Sequence, residues 1–504
     1  MSAARPDALT ANAHDVFRQL HVEPLINCGG VRTQWGGTNP APEVLAAMAA
    51  ASQQFVDLDE LADGVGRRLS ELTGAPWGVV TSGTTAALAL VAAACVAGNN
   101  PEYMLRLPRT DGIAHGVAML EQQRFDYDHA LLSVGAEIVS ARDLPHLKSL
   151  LDGSVVLICL LARRESTPSL EEIVAVARAR NVPVLVDAAG LSPAKPDRWL
   201  TAGANLVVYS GGKYLRAPHS TGILLGDKAL CEAVWRNGAP HQAIGRTMKV
   251  GKEAMVGAVV ALDRWLNSAS AHEERLQWRR RVDLICRELA GTPALSITPL
   301  PDTSFVTAPR VRVAWDPTVI PHDSDTLRAG LLEGRPRILI HDFWCERFSI
   351  VIDPINLTDA EARLVCQTLQ RHLSVLARMP VAEPPAPTVD ISGSWSARLA
   401  FLHGQAEHHL ILEQCGPCIS GEHIAQFSKG SLTGSVAGEQ CHFVSKHSHG
   451  SLPLYYEFSG HASERELHGT VHLGAASDEH AGPVFQRQFG AAQWCAERLT
   501  PSAS

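Results

Sequence analysis

Apolar and polar positions are arranged in blocks along the first three-quarters of this chain. Segments with apolar residues every three or four positions, such as 41–54 and 60–73, predict helices. Between the helical segments lie short runs without such a period: 78–81, 137–140, 155–160, 182–186, 206–210 and 222–225. Strands that are apolar throughout are covered on both faces, which predicts a mostly parallel sheet wrapped by helices. Residues 171–180 are amphipathic and predict a crossover helix between two of these strands. The run 86–97 is apolar on all sides and predicts a buried helix, too short to span a bilayer.

The pattern then changes twice. Residues 265 to about 289 predict one long helix leaving the first domain. Strand-like 310–315 and 347–352 and helix-like 359–373 follow, and together predict a small α+β domain. Prolines 380, 384, 385 and 387 mark a stiff linker. Beyond it come short alternating segments at 395–401, 408–413, 434–436, 442–445, 454–459, 469–472 and 493–498, punctuated by glycine and serine. Evenly spaced short strands of this kind predict a small antiparallel barrel or sandwich. The expected organisation is a large α/β domain (1–265), a small α+β domain (266–378), a linker (379–389) and a β-barrel-like domain (390–499).

Composition narrows the class. Of 504 residues, 46% are hydrophobic and 19% charged, which suits a large core. The net charge is −8 with no long basic run, so a nucleic-acid partner is not expected. Residues 1–15 lack the apolar core of a signal peptide, and no membrane association is expected. Eleven cysteines without a repeating spacing suggest a reduced, cytoplasmic protein.

Chemistry enters at the strand ends. The strand 182–186 runs into Asp187. The strand 206–210 runs into Ser210-Gly211-Gly212-Lys213. The strand 78–81 runs into Thr81-Ser82-Gly83-Thr84 at the head of an Ala/Leu-rich helix. Alone, each is a common cap or loop. In this order they suit pyridoxal phosphate (PLP). The lysine amine forms a Schiff base with the cofactor aldehyde, and the acid keeps the pyridinium nitrogen protonated. Free amides and hydroxyls at a helix start receive the phosphate.

Six runs carry a resemblance: 26–30 (Ile-Asn-Cys-Gly-Gly), 55–58 (Phe-Val-Asp-Leu), 80–83 (Val-Thr-Ser-Gly), 186–189 (Val-Asp-Ala-Ala), 210–213 (Ser-Gly-Gly-Lys) and 244–253 (Ile-Gly-Arg-Thr-Met-Lys-Val-Gly-Lys-Glu). Over roughly residues 20–375 the chain resembles the selenocysteine-synthase-like branch of fold-type-I PLP enzymes, and within it the D-glucosaminate-6-phosphate ammonia-lyase group. The resemblance implies a Schiff base at Lys213, a pyridinium partner at Asp187, and phosphate contacts from Ser82, Gly83, Thr84 and Ser210. It also implies that two subunits share each site, in a homodimer or larger homo-oligomer. Gln123-Arg124 departs from the His-Arg pair of many relatives, so Gln123 stands where a stacking ring is usual. Arg216-Ala217-Pro218-His219 departs from Arg-Gly-Pro-Gln, and the stretch 99–116 reads as a longer, irregular insert.

PLP stabilises a carbanion at the substrate's α-carbon, and a lysine released from the Schiff base is a natural acid and base there. Arg246, Lys249 and Lys252 are candidates for a second substrate anion; Arg32 and Arg337 are candidates for a carboxylate. The leading expectation is a lyase that removes the α-proton of an amino sugar acid, expels a β-hydroxyl and releases ammonia. Amino-acid racemisation or another β-elimination uses the same residues. Selenium transfer on tRNA fits less well, because only about 25 residues precede Asn27 and the charge is negative. A non-enzymatic PLP-fold sensor is the remaining alternative.

Residues 390–499 resemble a small lipocalin- or avidin-like barrel, through 391–395, 412–414 and 490–494. Eleven of the 22 histidines lie in this region, but without a metal-ligand spacing, so they are expected on solvated strands and no metal is expected. Cys415-Gly416-Pro417-Cys418 copies a thioredoxin-type motif. It joins two strand-like segments, however, where Gly-Pro makes a hairpin turn. The domain is expected to serve oligomerisation or to cover the active site.

Overall fold

The computed structural model describes residues 13–162, 167–342, 344–381, 383–450, 452–474 and 489–499. The chain divides into two compact units, Met1–Arg378 and Met379–Ser504.

In the first unit, β1 (Ile26–Asn27) pairs in parallel with β11 (Ile338–Leu339). The main sheet has seven strands: β2 (Trp77–Thr81), β3 (Gly116–Leu120), β4 (Glu137–Ala141), β5 (Val155–Leu161), β6 (Val184–Asp187), β7 (Leu206–Ser210) and β8 (Gly222–Gly226). Their order is β2-β8-β7-β6-β5-β3-β4, and only β8 runs against its neighbours. β3 is wholly buried and was absent from the expected strands. The loop-like residues before it hid it, and they contain the short helix Pro101–Arg106, capped by Asn100.

Helix Thr84–Ala97 is buried on almost every side, which explains its lack of a polar face. Helix Leu58–Thr73 starts at Asp57, whose carboxylate accepts from the Asp59 and Glu60 amides at 2.8 and 3.1 Å. The single helix expected at 265–289 is instead two, Lys252–Asn267 and Ala269–Leu289. Ser268 breaks it with extended dihedrals (φ −88°, ψ 134°). Its amide closes the first helix on Arg264, and its hydroxyl caps the second by accepting from Ser270 at 3.1 Å. A short polar side chain that bonds its own backbone favours such a break.

A smaller antiparallel sheet, β12-β10-β9, is made of β9 (Leu295–Leu300), β10 (Arg310–Trp315) and β12 (Ser349–Ile352). It packs with Asp359–Leu376 and its neighbours around its own apolar cluster, including Ile285, Val311, Ile350 and Leu369. β9 was not expected, because its alternation of apolar and polar residues includes a proline.

The second unit is a closed barrel of eight strands in sequence order: β13 (Gly393–Ala400), β14 (Gln405–Cys415), β15 (Cys418–Ile424), β16 (Lys429–Ala437), β17 (Gln440–His449), β18 (Leu452–Ala462), β19 (Glu466–Gly474) and β20 (Ala491–Arg498). Trp395, Phe443, Phe458 and Trp494 fill it. Closure removes the exposed edges that an open sheet would leave. His408, His423 and His447 are buried inside, contrary to the expectation of solvated strands; alternation turns His408 inward and His409 outward. Cys415 and Cys418 face each other across a two-residue turn whose Gly416 has φ +58°. The Cys-Gly-Pro-Cys motif is thus a hairpin with no helix behind it.

Candidate active site

The carboxyl ends of β2, β7, β6, β5 and β3 share one edge of the large sheet, where open α/β folds bind ligands. Asp187 is the last residue of β6 and is 3% exposed. Its Oδ1 accepts from the Ala189 amide at 2.9 Å. Burial raises its pKa, while the Ala189 bond and the charge of Lys213 pull it back down.

Lys213 lies in the tight turn after β7. The turn folds back on itself: the Gly211 amide donates to Thr221 (2.8 Å), and the Ala217 amide to Gly211 (3.0 Å). A Cβ on Gly211 would lie 2.1 Å from the Thr221 hydroxyl, and one on Gly212 would lie 2.5 Å from His219 Cα. The two glycines are therefore required by this fold-back itself. Thr38 Oγ1 donates to the Lys213 carbonyl at 2.6 Å and fixes the turn from the other side. Burial lowers the Lys213 pKa; Asp187 opposes that shift, and the charge of Arg32 adds to it. The amine is thus biased toward its neutral, nucleophilic form.

Beside this pair, β2 ends at Thr81, whose hydroxyl donates to the Gly83 carbonyl at 2.9 Å. Gly83 (φ 99°, ψ 163°) opens helix Thr84–Ala97 without a side-chain cap. The first helical amide to find a backbone partner is that of Ala87, so the amides before it face out of the helix end. Gly222, at the start of β8, pairs with both Thr81 and Ser210. A Cβ there would meet the Gly83 backbone at 2.7 Å. This close approach lays Ser82, Gly83 and Thr84 beside Ser210, whose strand β7 is the direct neighbour of β6 and Asp187.

Gln123 follows β3, is 8% exposed, and accepts from the Leu161 amide at 3.4 Å. Leu161 is the register partner of Asp187, so Gln123 belongs to the same group. Arg124 is held by Asp128 (2.5 Å) and Ser140 (3.3 Å). Arg32 lies in the segment that crosses the Lys213 turn. Asn356 holds this segment by donating to the Gly30 and Gly37 carbonyls at 3.0 and 3.1 Å.

Four other candidates are not brought to Lys213 within this chain. Arg337 donates to the carbonyls of Leu332 (3.1 Å) and Glu23 (3.2 Å). Lys252 donates to the Ala51 carbonyl at 2.9 Å and pairs with Glu253. Arg246 and Lys249 are exposed on the preceding loop, with no ion pair among the described residues.

Sequence reasoning missed a second group. Asp353, 1% exposed, pairs with Arg310 at 3.1 Å, and Arg310 covers the Trp344 ring at 3.8 Å. Burial, with Asp353 adding to it, pushes the Tyr214 hydroxyl next to Lys213 up to about 12, and Arg310 and Arg32 oppose this. His341 and Asp342, both buried, pair at 2.9 Å. Asp353 ends an apolar strand just as Asp187 does, and that shared pattern was its one signal in the sequence.

The residues at the edge fit PLP. A buried carboxylate and a half-buried lysine interact electrostatically, an uncapped helix start supplies amides, and nothing lies within 4 Å of a Cβ built on Gly83, so the space above that turn is open. Fold and site together define a fold-type-I PLP-dependent enzyme. No family model matches the chain. Over 373 residues it is 30% identical to 5'-C-glycyluridine monooxygenase-decarboxylase from Streptomyces sp, spanning 71% of this chain and 92% of that protein. Over 372 residues it is 27% identical to D-glucosaminate-6-phosphate ammonia lyase from Salmonella typhimurium, spanning 71% and 97%. A solved D-glucosaminate-6-phosphate ammonia-lyase structure superposes with a TM-score of 0.62 at 26% identity, over 72% of this chain and 99% of that one. The chain belongs to the family of fold-type-I PLP enzymes that these proteins represent. PLP dependence and lyase-type chemistry come with that membership.

Proposed function

We propose that this enzyme removes the α-proton of an amino sugar acid or related hydroxy-amino acid, expels its β-hydroxyl and releases ammonia. The observation that carries this reading is the opposition of Lys213 and Asp187 at the sheet edge, in a chain that matches an ammonia lyase over nearly that protein's whole length. Bound PLP supplies the electron sink for the negative charge that develops at the α-carbon.

The chain's own residues supply the rest. Asp187 holds the ring nitrogen protonated. Ser82, Gly83, Thr84 and Ser210 hold the phosphate, and Gln123 lies against the ring. Lys213 anchors the cofactor, takes the α-proton at Nζ, and delivers a proton to the departing β-oxygen. Burial and Arg32 favour the free amine that this requires. Arg32 also receives the substrate carboxylate.

Exposed Leu45 (51%), Phe55 (101%) and Val56 (49%) support a homodimer, since large apolar side chains clustered at a surface mark association sites. In such a dimer Arg246 and Lys249, exposed in the single chain, serve a substrate anion in the partner's site. Light scattering at twice the chain mass supports this; a monomer that turns over fully refutes it. No helix among the described residues is long and apolar enough to cross a membrane, and all eleven cysteines are free, which supports a cytoplasmic setting.

The 30% identical monooxygenase-decarboxylase favours a second reading, in which the bond to the carboxylate is broken and dioxygen is consumed. Incubating the PLP-loaded enzyme with amino acids and amino sugar acids separates the readings. Ammonia with a keto acid supports elimination. Carbon dioxide with oxygen uptake supports decarboxylation, and loss of optical activity alone supports racemisation.

A further inference from the structure

Cys415 and Cys418 end β14 and begin β15, and they are direct register partners across the turn Gly416-Pro417. Side chains opposite each other in an antiparallel pair project from the same face, with Cα atoms about 4.5–5.5 Å apart. That separation falls within the disulfide range of roughly 4.4–6.8 Å. Both thiols are free and exposed, on the outer surface of the barrel.

The turn is held in place independently of them. Gln414 Nε2 donates to the Gly416 carbonyl at 3.1 Å and the Val389 carbonyl at 3.0 Å. The Val436 amide donates to the Pro417 carbonyl at 2.8 Å. Gly416 takes the positive φ that this turn demands at its first central position, which sets the two strand ends face to face. The register pairing thus gives a backbone separation of the kind a disulfide spans.

From this geometry we infer that Cys415 and Cys418 form a reversible dithiol–disulfide pair, a thiol-modification site on the barrel driven by a small disulfide such as oxidised glutathione. One thiolate attacks the oxidant and displaces one glutathione thiolate, leaving a mixed disulfide. The second thiolate attacks the protein sulfur of that mixed disulfide and displaces the other glutathione. Two protein thiols are oxidised to one disulfide, and one oxidised glutathione is reduced to two glutathione molecules. The pair does not work as a thioredoxin-type catalyst, which needs a helix start behind the attacking thiol. Its loop is very short, so the bond gains little from chain entropy. Its oxidation state therefore follows the surrounding thiol pool, as expected for a responsive rather than a structural disulfide.

The third exposed cysteine of the barrel, Cys495, is no competitor within the chain. It pairs with Arg398, and Arg398 with Glu407. Glu407 lies eight positions along β14 from Cys415, roughly 26 Å at strand rise.

The test equilibrates the full-length protein in glutathione buffers of graded ratio, traps free thiols by alkylation and maps the peptides. The expected result is a Cys415–Cys418 disulfide that rises and falls reversibly with the ratio, in wild type and in Cys495→Ser, and is lost in Cys415→Ser. Slowed hydrogen exchange at the hairpin accompanies it, and turnover by the PLP unit is unchanged in Cys415→Ser. Full alkylation of both thiols at every ratio overturns the inference. So does a disulfide that joins either thiol to Cys495 or to a second chain.

Discussion

In the proposed role, Lys213 meets two demands that conflict in water: charge enough to interact with Asp187 and neutrality enough to act as a nucleophile and base. Burial and the charge of Arg32 both lower its pKa, against the pull of Asp187. Removing Arg32 takes away one of the two lowering influences. In Arg32→Gln the lysine pKa rises, so the acid limb of the kcat profile moves to higher pH; an unmoved limb shows that Arg32 does not act on Lys213. At this scale the sequence was informative where a residue follows a strand. Asp187, Ser210 and Lys213 could be placed at the sheet edge because each ends or follows an apolar run. Arg310 and Asp353 could not be joined, because their contact depends on the pairing of β10 with β12 and lies 43 positions apart in sequence. Lys252 and Arg337 looked like ligands, but their cationic heads satisfy backbone carbonyls, which a linear pattern does not reveal.

At the scale of elements, the proposed phosphate loop depends on Gly222. A methyl group there meets the Gly83 backbone, which has no flexible end to move aside. Gly222→Ala is expected to weaken cofactor retention by at least about tenfold, measured by equilibrium dialysis of PLP, the equivalent of roughly 1.4 kcal/mol. Wild-type retention would show that the loop yields.

In the barrel, three imidazoles run in series. His408 Nδ1 meets His423 Nε2 at 2.7 Å, His423 Nδ1 meets His447 Nε2 at 2.9 Å, and Ser428 meets His447 Nδ1 at 2.8 Å. Tyr456, Ser445 and His449 complete their surroundings. Among the described residues no such cluster is arranged to hold a metal. Burial drives all three pKa values down, and for His423 (to about 2) and His447 (to about 4) the charge of neighbouring histidines adds to it. In the unfolded chain these groups titrate near 6.5. Their contribution to stability is therefore present above pH about 6.5 and is lost as the pH falls, because the unfolded state binds the extra protons. The barrel's melting temperature should drop between pH 6.5 and 4, and His423→Gln should flatten that slope. An equal slope in the variant would exclude the histidines as its cause.

At the scale of the molecule, the two units have separate cores, the first with three apolar clusters and the second with the barrel's aromatic filling. A chain ending at residue 378 is expected to fold, bind PLP and keep the site described above. Circular dichroism and PLP titration check this; an unfolded or PLP-free product shows that the site needs the barrel. Comparing its mass and turnover with those of the full chain assigns the barrel to oligomerisation or to the active site. The class of each unit was legible because periodicity reports how an element is covered: continuous apolar runs for the sheet between helices, alternation for the barrel. The breaks were less legible. Ser268 splits a helix through a single side-chain bond, and β3 is hidden behind an irregular loop.

In the proposed site Lys213 carries the cofactor and Asp187 meets its ring nitrogen. The direct test is borohydride reduction of the PLP-loaded protein, followed by peptide mapping. The expected result is one pyridoxyl label, on Lys213, and none on Lys213→Ala. A label on another lysine, or no label on a protein that binds PLP, would contradict it.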